Sequence, residues 1–265
     1  MSVLSGLLCG LLGYYVIELG LTTLSFSVAH AALAGAALGV LLGVDISYTA
    51  LALTLLYSLF MGALLPRVNK YSDAVSMAFF TVFNALALML VYLGQTTVLA
   101  TVRVGGLLWG SVLTATPLKA LVLVSALIAF TTYTTLAGSE LDAMLFNKKL
   151  AEAEGVNVHY HTVLVLLFVG VAVALTLTIT GGFLVFSLLY NPVVASAQIT
   201  TRGHARRNLA AGIGAFSALV GLLLSYYLDL PVGASIAITS TLILASSTLA
   251  RAVYNRYLQR EEAYS

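Results

Sequence analysis

The chain has 265 residues, 60% of them hydrophobic and 8% charged, with a formal net charge of +2. A soluble domain carries about 25% charged side chains, so a water-soluble fold is excluded, and length is better divided by the roughly 20 apolar residues that a spanning helix requires. The few basic residues gather in loops, which implies no nucleic-acid partner, and the single cysteine, Cys9, excludes a disulfide framework or a thiolate metal cluster.

Hydropathy predicts spans at 2–22, 28–44, 47–66, 74–94, 117–138, 162–180, 183–199, 208–228 and 231–254. The expected fold is therefore all-α, a polytopic membrane bundle of about eight or nine helices forming a single domain over 1–265. The N-terminal stretch has no basic lead and no small-residue cleavage site, and reads as a retained helix. The segment 183–199 is short and holds Asn191 and Pro192, so it reads as a crossing, broken or re-entrant helix, the last tolerated only against protein or a wet cavity.

Basic residues fall at Arg67 and Lys70, Lys148 and Lys149, Arg202, Arg206 and Arg207, and Arg251, Arg256 and Arg260. If every segment crosses, these loops share one side, which the positive-inside rule makes cytoplasmic, with the N-terminus outside. The opposite loops, around Asp45, 95–116 and Asp229, are expected to carry only Arg103. Small residues mark packing faces: Ala31, Gly35, Gly39 and Gly43 at four-residue spacing, and Gly6 with Gly10.

Two connections are long. The external one, Gln95 to Pro117, contains the lone Trp109, an interfacial anchor or part of a gate or docking surface. The cytoplasmic one, Gly138 to His161, contains LFNKKLAEAEGV, rich in helix formers and closed by Gly155 as a C-cap. It reads as a short helix lying along the membrane plane, either a solvated connector or a lever that seats in a motor subunit.

Ionisable side chains inside spans are costly and point to function. His30 is the foremost, either a ligand for a transition-metal cation or an interhelical hydrogen-bond partner, with Ala34 and Ala37 on its face. Glu18 sits near the cytoplasmic end of the first span, at the interface or on an ion path. Asn191 and Pro192 expose backbone and amide oxygens within a span. Asn84, Tyr133, Tyr190 and Asn191 are expected to satisfy one another, Asp45 and Asp229 to be solvated turn formers, and His159 and His161 to lie in the cytoplasmic loop. There is no phosphate-binding loop, H-E-x-x-H or G-x-S-x-G signature, so the chain is not expected to be an enzyme, and any ATP hydrolysis belongs to another chain.

Four stretches resemble the permease subunits of zinc and manganese ABC importers, the ABC-3 family. GLLGYYVIELGLTTLSFSVAHAALAGAALG is similar to the first two spans, with His30, Leu33 and Gly35 in the family's H-a-x-L-x-G pattern. LLWGSVL is similar to the block before the middle span. LFNKKLAEAEGV is similar to the coupling segment F-D-x-e-x-A-x-x-x-G, with Phe146, Ala151 and Gly155 in register and Asn147 and Glu152 between them. GGFLVFSLLYNPVVASAQ and GLLLSYYLDLPVGASI are similar to a paired C-terminal block.

The resemblance implies a multi-pass permease of the cell (inner) membrane, surrounded by lipid, carrying a divalent metal ion but holding no cofactor. Its implied partners are a second permease copy, a cytoplasmic ABC ATPase dimer gripping the coupling helix, and an extracytoplasmic metal-binding protein. Phe26 stands where many members carry an aspartate one turn before the histidine, and Asn147 where aspartate is usual. The alternatives are an ion-gradient transporter or channel using Glu18, His30 and Asn191-Pro192, or an ABC permease for a chelated metal.

Overall fold

The computed structural model describes residues 1–94, 116–181 and 185–264. Trp109, Arg103, the LLWGSVL block and the rest of the long external connection lie outside the described residues. Among those described, the chain forms eleven α-helices and one 3₁₀ turn. They are α1 Ser2–Glu18, α2 Thr22–Leu42, α3 Ile46–Val68, α4 Ser72–Gly94, α5 Pro117–Leu136, α6 Gly138–Phe146, α7 Lys148–Ala153, α8 Val158–Thr180, α9 Val185–Ile199, α10 Gly203–Leu228 and α11 Val232–Tyr264. Seven are long and apolar enough to cross a membrane, and α1 and α9 are shorter apolar helices.

The expected spans each meet a helix, and α9 is continuous through Pro192. At 1.5 Å per residue its 15 residues reach only about 22 Å. It nonetheless carries the chain from the end of α8 to Arg202 and the start of α10, level with Glu18 on α1.

Burial divides the bundle. α1, α2, α8 and α9 form its centre, with Leu8, Leu12, Val28, Leu166, Val169 and Leu188 wholly buried. α3, α4, α5, α10 and α11 surround them and expose apolar side chains such as Leu56, Val82, Ile128, Leu223 and Leu242. Apolar side chains gain little by leaving lipid, so this outward display costs nothing in a membrane, and small residues provide the close approaches. Hydroxyls inside helices are satisfied by back-bonding, as Thr54 to the Ala50 carbonyl and Thr239 to that of Ser235.

The small-residue faces act where the spacing indicated, with one exception. A methyl added to Gly6 or Gly10 would collide with the backbone of Gly214 or Ala210, so α1 and α10 touch main chain to main chain. Gly35 meets the Thr49 carbonyl and Gly39 the Thr49 side chain, packing α2 on α3. Gly43 does not belong to this face: it is the left-handed C-cap of α2, φ 71°, with open space beside it.

The end charges assemble as the loop pattern requires. Asp73 meets Thr23, Arg206 meets Glu18, and Lys148, Pro66 and His159 share one cleft, all at one end of the bundle. That end is cytoplasmic by its basic content. The opposite end carries a cation not counted from the sequence: Lys119, in the first turn of α5, pairs with Asp45 at 3.6 Å. Asp45 is thus an ion-pair partner and also caps α3 through the Ser47 amide.

Candidate functional site

α2 is uninterrupted by Gly or Pro until its glycine face, and it carries His30 about 12 Å, or eight residues, from its cytoplasmic start. The imidazole is 5% exposed. Its Nδ1 lies 3.0 Å from the Phe26 carbonyl one turn earlier. A carbonyl only accepts, so this bond places the proton on Nδ1 and leaves the lone pair on Nε2, the form in which imidazole ligates a metal.

Around His30 the structure builds an aromatic enclosure from three helices. Phe80 of α4 contacts the imidazole edge at a centroid distance of 4.3 Å, and Phe186 of α9 stacks over it at 5.7 Å. Phe26 stacks on Phe186 at 4.5 Å and lies 5.3 Å from Tyr190. The Tyr190 hydroxyl is 2.6 Å from that of Ser25, tying α9 to α2 below the histidine. Such ring pairs contribute about 0.5–1.5 kcal/mol each beyond their burial. Among the described residues no group of three or more His, Cys, Asp or Glu could hold a metal ion.

The other expected path residues lie elsewhere. The Glu18 carboxylate is bound by the Arg206 guanidinium at 2.5 Å, and Arg207 donates to the Tyr15 hydroxyl at 3.2 Å, so this end of α1 is fastened to α10. Asn191 turns away from His30 and donates to Ser240 and Thr241 of α11, 3.0 Å each. Pro192 is buried and withholds a donor from the Leu188 carbonyl one turn back. α9 reaches the histidine through Phe186, with Tyr190 stacked behind it, and not through Asn191. Of the four uncharged polar residues, three pair outside the group: Tyr133 with His161, Tyr190 with Ser25, and Asn191 with α11. Cys9 packs in the core beside Thr176, at 3.8 Å.

The cytoplasmic segment is two helices and not one. α6 ends at Phe146, Asn147 adopts an extended backbone, and its side chain accepts from the Lys149 and Leu150 amides at 3.0 and 3.2 Å, capping α7. At the other end Gly155, φ +92°, reverses the chain, so that the Val156 amide bonds back to the Ala151 carbonyl at 2.9 Å. Asn157 then caps α8 through the Tyr160 amide, so His159 and His161 are helical and not in a loop. Ala151, Leu141 and Met144 face inward, while Phe146 is 82% and Leu150 48% exposed. Glu152 also faces outward from the core. Leu150 on the doubly capped α7 and Phe146 just before its N-cap set two exposed apolar side chains on a preordered element. The helix formers and Gly155 were visible in the sequence, whereas the aromatic enclosure was not, because its rings come from three helices with no local spacing in common.

Comparison with known proteins agrees with this architecture. The chain is 26% identical to the manganese transport system membrane protein MntC of Listeria monocytogenes over 242 residues, 91% of this chain and 85% of that one. It is 23% identical to the manganese import system permease protein ScaB of Streptococcus gordonii over 260 residues, 98% and 92% of the two chains. A chain of the PsaBC structure from Streptococcus pneumoniae in complex with Fab superposes with a TM-score of 0.78 at 21% identity, covering 93% of this chain and 87% of that chain. The sequence model of the ABC 3 transport family matches residues 1–251, and with its helices able to cross a membrane many times over, this chain belongs to that family as a multi-pass permease subunit.

Proposed function

We propose that this permease imports a divalent transition metal of the kind its manganese-transporting relatives are named for, by alternating access driven by ATP hydrolysis on separate subunits. The observation that carries this reading is the projection at Phe146 and Leu150: an exposed apolar knob at the doubly capped α7, on the cytoplasmic face of a membrane bundle. A rigid knob of this kind suits seating in a motor subunit, because little ordering entropy is lost on docking. Phe146, Asn147, Ala151, Glu152 and Gly155 would form the coupling element. Two permease copies, a cytoplasmic ATPase dimer and an extracytoplasmic metal-binding protein would complete the transporter. His30 would offer Nε2 as a transient ligand, with Glu18 and Asn191-Pro192 holding the helices that rock around it.

The test is uptake of radiolabelled manganese into proteoliposomes containing the permease, its ATPase and its binding protein. Uptake is expected to require ATP, to survive collapse of the proton gradient, and to fall sharply in His30→Ala without loss of assembly. Uptake that needs no ATPase but vanishes with the proton gradient would replace this reading with a gradient-driven carrier. Ala151→Glu with Gly155→Arg is expected to abolish ATPase association; retained association would remove the coupling assignment.

A second reading, a chelated metal as cargo, is favoured by one observation. Phe26 stacks on Phe186 beside His30, so the enclosure offers rings where a bare dication would need carboxylates. Metal and mass analysis of the loaded binding protein separates a free ion from a chelate.

A further inference from the structure

The coupling segment meets the membrane helices across a cleft of about 390 Å³ on the cytoplasmic end. α7 contributes Lys148 and Glu152 to its wall, α4 contributes Asp73, α2 contributes Leu24, and α8 contributes His159. The two lysines that open α7 differ: Lys149 is exposed, whereas Lys148 is half-buried and turned into the cleft. Burial lowers the Lys148 pKa, and the carboxylates of Asp73 and Glu152 oppose that shift.

Asp73 is already engaged. Its Oδ1 accepts from the Thr23 hydroxyl at 2.5 Å, joining the first turn of α4 to the first turn of α2. α2 carries His30 seven residues, about 10 Å, further along. A carboxylate in the first turn of a helix is favoured by the helix dipole, which accounts for Asp73 alone. It does not account for a lysine turned inward on the facing element when its neighbour points to water. Lys148 faces two carboxylates in the cleft, Glu152 four residues on along its own helix and Asp73 on α4, and among the described residues it is within salt-bridge distance of neither. A charge that can close on either of two carboxylates has two discrete arrangements, and such an element can couple one rigid body to another.

Resting on the reading of this chain as an ATP-driven permease, we propose that Lys148 is the positioning residue that transmits displacement of the coupling segment to the Thr23–Asp73 pair, and through it to α2 and His30. An ammonium in a partly closed cleft gains by closing on a carboxylate, so movement of α7 toward α4 draws Lys148 onto Asp73 and movement away leaves it to Glu152. Removing the charge leaves the docking knob at Phe146 and Leu150 in place and cuts the link behind it.

The experiment uses the complete transporter in proteoliposomes, with Lys148→Met, Asp73→Asn, the charge swap Lys148→Glu with Asp73→Lys, and Lys149→Met as control. Complex formation, ATP hydrolysis and radiolabelled manganese uptake are measured together. Lys148→Met and Asp73→Asn are expected to keep the complex and its ATP hydrolysis while uptake per ATP falls about tenfold, within the usual range of coupling between sites. The swap is expected to restore most of that loss, and Lys149→Met to leave the ratio unchanged. Unchanged uptake per ATP in Lys148→Met, or a swap no better than the single variants, overturns the relay. If a single variant fails to assemble, the swap still decides: assembly and transport restored support it, and neither restored overturns it. Wild-type protein with no ATP-driven uptake overturns the permease reading itself, a failure visible before any variant is compared.

Discussion

The Tyr133 hydroxyl lies 2.8 Å from Nδ1 of His161, joining the last turn of α5 to the first turn of α8. The coupling segment begins after one and ends before the other, so this bond closes the loop at its base. Ring stacking between Tyr133, His161 and Phe168 extends the clamp into the bundle. Tyr133→Phe removes the bond with little change of shape and is expected to cost about 1 kcal/mol. His161→Ala is expected to cost more through lost packing, and the double variant less than the sum, because both remove one contact. Thermal unfolding in detergent measures the cycle, and additive costs would show that the two side chains act independently.

Asn147→Ala deletes the side-chain acceptor at the start of α7 and is expected to destabilise that helix by about 1 kcal/mol. Asn147→Asp keeps an acceptor and is expected to retain the cap. Hydrogen exchange at the Lys149 and Leu150 amides reports the difference directly: fast in the alanine variant, slow in the aspartate one. Equal exchange in both would remove the cap from the account of α7.

Gly6 and Gly43 separate steric from conformational demands. Gly6→Ala places a methyl against the Gly214 carbonyl and is expected to lower stability by about 1–3 kcal/mol or more, with loss of folded yield. Gly43 has free space beside it but a left-handed backbone, so Gly43→Ala is expected to cost only about 1 kcal/mol. Similar losses at the two sites would contradict the main-chain contact between α1 and α10.

The burial of Lys148 has a pH signature. Its folded-state pKa lies below the ordinary lysine value, so between the two the unfolded chain binds the extra proton and stability rises with pH. Below the lowered value the burial cost is fully present. Lys148→Met is expected to flatten this alkaline rise in thermal stability while uptake falls, and a wild-type curve that declines through the same window would reverse the assignment.

Much of the fold was legible in the sequence because a membrane makes local signals global. Apolar length set the helices, loop charge set their direction, and glycine spacing found the close-packing faces of α1 and α2, though not the helices they meet. Gly155 marked the end of α7 through short-range backbone chemistry, whereas the capping role of Asn147 came only with the structure. Phe80, Phe186 and Tyr190 carried no such signal, since a ring in a span reads equally as lipid-facing or enclosed until helices distant in the chain converge on His30. Lys119 was hidden inside a span boundary, and Thr23 with Asp73 looked like ordinary helix starts. Partnerships between helices are settled by packing, which periodicity does not encode.

The glycines of α1 carry a last mechanical consequence. Gly6 and Gly10 press its backbone onto α10, and Gly13 presses it onto the Leu189 carbonyl of α9. Contacts with no side chain between them cannot slide by a rotamer change, so these three helices behave as one welded block. α2 and α3 share a separate seam at Gly35 and Gly39. The surface between the two blocks runs through soft aromatic rings around His30, and any rocking of the permease has its least resistant hinge line there.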